Sequence, residues 1–158
     1  MKGARGVRGV RPIPRRYLNF SVTFFIMPDT DGGESGYKAV IAKNVYFEPD
    51  KYSGITGGRR GENSLLIIDG VNSEFYDTAG ERVLYLSYKE YFALEDKKGF
   101  FTVNEDRDIF ILGEAEPADI NSINDVKSRY EWFAVIAVDL KYDPTNGKLR
   151  HIEVTGGK

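Results

Sequence analysis

Two stretches of the chain carry residue types used in phosphate chemistry. Asp77-Thr78-Ala79-Gly80 has the DxxG spacing with which many nucleotide hydrolases sense a terminal phosphate. Gly54-Ile55-Thr56-Gly57-Gly58-Arg59-Arg60-Gly61 has enough glycine to wrap an anion. A phosphate cradle needs more: a strand, then G-x-x-x-x-G-K-[ST], then a helix whose first N–H groups face the anion. No Gly-Lys-Ser/Thr occurs, and the glycine-rich stretch leads into the apolar run Ser64-Leu65-Leu66-Ile67-Ile68-Asp69. DTAG therefore reads as a turn. The acid pairs Glu95/Asp96, Glu105/Asp106 and Glu114/Glu116 resemble glycosidase carboxylates in type only. They fall in turn-like segments, where solvated charge is the ordinary role and nothing sets a working distance. His151, the single histidine, stands on a strand beside Arg150 and Glu153 and reads as a surface or interface residue. With no cysteine, thiolate catalysis, disulfides and cysteine-rich zinc sites are excluded, and one histidine makes a histidine metal site or a triad base unlikely to be built. The expectation is a protein with no catalytic residues, no metal and no cofactor, and not an enzyme.

Charge is distributed unevenly. Lys2, Arg5, Arg8, Arg11, Arg15 and Arg16 put six positive charges and no acid into the first sixteen residues, while the rest holds 16 basic against 24 acidic side chains. Glycines 3, 6 and 9, then Pro12 and Pro14, leave that stretch without a face to bury. Residues 1–16 are thus expected to form an extended basic arm on an acidic body, residues 17–158. Such a pairing suits docking onto another copy, an acidic neighbour or nucleic acid through Arg5, Arg8, Arg11, Arg15 and Arg16. No run approaches the roughly 18 apolar residues of a membrane helix, and no apolar signal segment follows the basic start, so a soluble, unexported protein is expected.

The body reads as short strands punctuated by turns. Asn19 to Met27 begins with polar and apolar residues alternating, and Tyr37 to Phe47 is β-branched and aromatic. Ser64 to Asp69, Arg82 to Leu86 and Asp108 to Gly113 are further strand runs, with room for a helical turn over Ser87 to Leu94. Trp132 to Leu140 and Leu149 to Val154 flank Asp143-Pro144-Thr145-Asn146-Gly147, a hairpin signature in which Asn-Gly tolerates positive φ. A helix of about ten residues fits after Asp119, its candidate cap. These elements predict one mainly β domain, a small β-barrel or sandwich with one or two short helices. The loop from Ser53 to Asn63, with Gly57, Gly58, Arg59, Arg60 and Gly61, reads either as a hairpin connection or as a loop that meets DNA phosphate. Ten tyrosines, ten phenylalanines and one tryptophan add a hint of self-association.

Several segments, taken in order, resemble a known group. Arg11-Pro12-Ile13-Pro14-Arg15-Arg16-Tyr17-Leu18, the strand with Val22-Thr23-Phe24-Phe25, and Ala42 to Pro49 are similar to the opening of small minor capsid, or head-tail connector, proteins of long-tailed bacteriophages and prophages. Asp108 to Glu114, the Asp119 to Tyr130 connector, Phe133 to Asp139 and Leu149 to Lys158 resemble the closing half. The segment Gly70 to Gly99 is longer than that pattern, and Met1 to Val10 is additional. The resemblance implies a β-barrel subunit of a homo-oligomeric ring in the virion neck, between portal or adaptor proteins and the tail terminator or tail tube. It implies a stopper-type role in holding packaged DNA, with no membrane partner. A tail-completion ring protein and a free nucleic-acid-binding barrel are the alternatives.

Overall fold

Alternation in Phe20–Ile26 (β1) and β-branching in Lys38–Glu48 (β2) produce the first two strands, which pair antiparallel from Phe20↔Val45 to Ile26↔Lys38. The computed structural model describes residues 14–27, 37–49, 63–116 and 123–157, with backbone alone at 15, 55–56 and 59–60. The further strands are Ile55–Thr56 (β3), Arg59–Arg60 (β4), Ser64–Asp69 (β5), Glu74–Tyr76 (β6), Arg82–Tyr85 (β7), Phe100–Phe101 (β8), Ile109–Leu112 (β9), Trp132–Tyr142 (β10) and Leu149–Gly157 (β11). The helices are Tyr88–Phe92 (α1) and Ile123–Arg129 (α2), and Arg15–Tyr17 makes a 3-10 turn. The chain is mainly β, as its turn spacing implies.

Six strands close a barrel in the order β1-β9-β10-β11-β5-β2, with β2 returning to β1. A closed barrel, not an open sandwich, is therefore the architecture. Every pairing around it is antiparallel, so side chains alternate between the interior and the outside. Phenylalanines fill the interior. Phe110 stacks on Phe133 at 5.2 Å between ring centroids, Phe47 lies 5.3 Å from Phe133, and Phe24 lies 5.8 Å from Phe110. Gly156 exists because of this filling: a Cβ there would stand 2.8 Å from the Phe110 ring and 2.7 Å from Ser64 Oγ. Neighbouring apolar residues such as Phe24-Phe25 and Ile109-Phe110-Ile111 need both faces of the wall buried. The outer partner is α2, whose Val126 packs with Phe25, Ile109, Ile111 and Ala115, alongside Tyr130 and Trp132. That helix spans seven residues instead of about ten, and Asp119 lies outside the described residues.

Bulges set the shape. In β2, Ile41 to Lys43 pair with β6, but Val45 to Glu48 pair with β5. The change falls on Asn44, which takes φ 60°, donates from Nδ2 to Asn72 O at 3.2 Å and accepts from Ser73 Oγ at 2.6 Å. Asparagine tolerates this left-handed geometry better than a branched residue would. One end of the barrel is thereby closed by β5, while at the other end β6, β7 and β8 continue outward from β2. DTAG is the β6–β7 turn: Asp77 Oδ1 accepts from the backbone N–H groups of Ala79 at 2.9 Å and Glu81 at 2.8 Å, and Gly80 has φ 83°. The β10–β11 connection closes with Asp143 N–H donating to Lys148 O at 2.8 Å, and Gly147 takes the positive φ, 69°, that Asn-Gly predicts.

Candidate interaction surface

The barrel has one wall that is only half paired. β10 lies against β9 only from Trp132 to Ala134, and beyond them the turn from Asn104 to Asp108 takes the place of β9. Asp106 N–H donates to Val135 O at 2.8 Å, and Val135 N–H donates to Asp108 O at 2.9 Å. The register of β10 against β11 then jumps from Val135↔Gly156 to Ala137↔Thr155, a bulge at Ile136. One extra residue reverses the alternation. Ile136 stays outward, and beyond it Val138 N–H is sent to the open side, where Glu105 Oε1 accepts it at 2.8 Å. By antiparallel alternation, Val138 O, both polar groups of Leu140 and the N–H of Tyr142 face the same side. Among the described residues none of them has a partner.

A groove of about 480 Å³ lies along this edge, lined by Tyr85, Tyr88, Val103, Asn104, Glu105, Arg107, Val138 and Leu140. Its far wall is β7 and α1. Ser87 caps α1, with Oγ accepting from Glu90 N–H and donating to Glu90 Oε1 at 2.7 Å, yet no residue of the helix is buried. Tyr88 and Phe92 stack at 4.4 Å, and Lys97 Nζ sits 5.7 Å from the Tyr91 ring. Leu84 and Tyr88 are 56% and 63% exposed, so this wall offers apolar surface that the barrel does not use. Burial pushes the Tyr85 hydroxyl up to about 12, holding it neutral.

One groove residue, Asn104, belongs to a buried polar pair with Asp108. Asp108 is buried and accepts from Met27 N–H at 2.9 Å, Asn104 N–H at 2.6 Å and Asn104 Nδ2 at 3.1 Å. Burial outweighs these donors and the nearby Arg107, and pushes the carboxyl up to about 6. Asn104 is 8% exposed, and its Oδ1 is a buried acceptor without a partner among the described residues. Such a group costs free energy until a donor reaches it.

Sequence reasoning pointed elsewhere. Arg5, Arg8 and Arg11 lie outside the described residues, as do Gly57, Gly58 and Gly61. Arg15 and Arg16 belong to the 3-10 turn, with the Arg16 guanidinium 4.9 Å from the Tyr17 ring centroid. Arg59 and Arg60 form β4 and pair with Thr56 and Ile55, a two-rung hairpin whose side chains lie outside the description. The acid pairs do not converge. Glu114 meets Lys43 at 3.4 Å, Glu105 caps β10, and both residues of the 95/96 pair are exposed. His151 pairs with Glu153 at 3.0 Å on β11. Tyr85, Tyr88, Asn104 and Leu140 were not singled out in the sequence, since three distant segments supply them. The one sequence signal was the tyrosine surplus: phenylalanine fills the core while Tyr17, Tyr88 and Tyr142 stand exposed.

Fold and groove together define a small closed antiparallel β-barrel with a filled interior and one lateral groove. The chain belongs to DUF6751, a family of unknown function, which matches residues 17–157. No curated protein and no solved structure matches it.

Proposed function

We propose that this protein is a non-enzymatic structural subunit of a bacteriophage neck, a head-tail connector ring of the head-closure type. In this role it joins portal or adaptor proteins to the tail and helps retain packaged DNA. The observation that carries the reading is the placement of exposed apolar residues at both ends of a barrel packed solid with phenylalanine. Tyr17 and Phe20 stand exposed where β1 begins, and Leu84, Tyr88 and Tyr142 stand exposed at the opposite end. A filled barrel leaves its outer surfaces to do the work, and apolar patches at two opposite ends suit a subunit held between a ring above and a ring below. The resemblance of the order of its sequence segments to phage connector proteins favours the same role.

A terminator ring at the tail end of the neck would use the same surfaces and differs only in position. A nucleic-acid-binding barrel is less favoured, because Glu90 and Glu105 flank the exposed tyrosines and the body is acidic. The test is deletion of the gene from the phage or prophage that encodes it. The reading expects tails and heads that fail to join, with DNA escaping from the heads, and rescue by the gene in trans. Normal yields of infectious particles from the deletion would overturn it.

A further inference from the structure

The open edge of β10 has a shape that only extended chain can complete. Val138 O, Leu140 N–H, Leu140 O and Tyr142 N–H are left by alternation on one side, with no partner among the described residues. Beside them the groove presents Tyr85, Tyr88 and Asn104. A backbone strand supplies what is missing: donors and acceptors for the edge and alternate side chains for the groove.

We propose that this groove takes the N-terminal arm of a neighbouring copy as an added β-strand. Four features of the chain select that occupant. Thirteen residues precede Pro14, enough for about 43 Å of extended chain, which exceeds the roughly 37 Å length of the eleven-residue β10. The described chain begins at the end of the barrel where β1 begins, whereas the open edge of β10 is at the opposite end, so the arm starts at the end away from its own groove. The proline in the arm is compatible with an added strand. Pro12 lacks an N–H, while its neighbours Arg11 and Ile13 carry theirs on the opposite side of an extended chain, the pattern of a strand that pairs along one edge and shows the second to solvent. Charge is complementary overall, since thirteen residues with Lys2, Arg5, Arg8 and Arg11 and no acid meet a body whose residues 17–158 carry 24 acids against 16 bases, with Glu105 on the groove itself beside Arg107.

The inference rests on the reading of this protein as a self-assembling ring subunit. A contact in which the arm of one copy fills the groove of the next is head-to-tail, and closes when the copies form a ring.

Hydrogen exchange on the purified full chain tests it without any phage particle. At high concentration the amides of Leu140 and Tyr142 should exchange at least tenfold more slowly than in a dilute monomeric sample. Arg11→Pro, which removes an N–H from the pairing side of the arm, should abolish that protection, while Pro12→Ala should keep it. A peptide of residues 1–16 added to the dilute protein should restore it. Fast exchange at every concentration would overturn the proposal. Protection that persists in the monomer would assign the groove to the arm of the same molecule and overturn it equally. Protection that needs DNA or another phage protein, or that survives Arg11→Pro, would do the same. Absence of the protein from virions would instead contradict the neck reading and leave the exchange result standing.

Discussion

Asp108 joins two parts of the barrel through a single carboxylate. It ties the end of β1, through Met27 N–H, to the turn that substitutes for β9 against β10. Its ordinary carboxyl value is 3.8, and burial raises it to about 6 in the folded protein. The folded state then binds a proton that the unfolded chain has already lost across that window. Stability from this group is thus greatest below about pH 4, falls as pH rises towards 6, and is level above it. The loss amounts to roughly 3 kcal/mol for a shift of this size. Urea unfolding at pH 4, 5, 6 and 7 should show this slope in the wild type and not in Asp108→Asn, and parallel profiles for the two would contradict the assignment. Nothing in Arg107-Asp108-Ile109 marks the acid as buried. Of its partners, Asn104 stands at the other end of its own turn, but Met27 comes from the end of β1, far away in sequence. By contrast the turn at Asp77 was legible, because its hydrogen bonds are all local.

At the scale of elements, β10 shows what periodicity can and cannot reveal. Trp132 to Leu140 is plainly a strand by composition, but its run of apolar residues hides the bulge at Ile136. Phe133 and Val135 point inward by simple alternation, whereas Val138 faces the interior side only because the bulge shifts the phase. Val135→Asp would bury an unpaired charge in the phenylalanine core and should destabilise the fold by about 4 kcal/mol or more. Ile136→Thr, at a position turned outward, should cost under about 1 kcal/mol. Thermal or urea melts of both variants check the phase, and equal losses would contradict the inward placement of Val135 and the outward placement of Ile136. The principal strands could be read along the chain, yet β6 and β8 could not, being three and two residues long. Neither could the closure of β1 on β2 and the half-paired wall of β10, since both depend on strands far apart in sequence. The groove escaped notice for the same reason.

The molecule as a whole is a closed barrel whose interior is spent on its own stability and whose two ends and one flank are left for contact. Closure removes the strand edges of most of the barrel wall, and the edge left open in that wall among the described residues, Val138 to Tyr142, is short and bordered by the turn at Asn104 to Asp108. That economy fits a subunit that must join specific neighbours and no others. The direct measurement is a reconstruction of the virion neck in which the proposed function places this chain. The account predicts copies of the six-stranded barrel arranged around the tail axis between portal and tail tube, each with density for an added strand along Val138 to Tyr142. A neck resolved at side-chain level with no such barrel would contradict it.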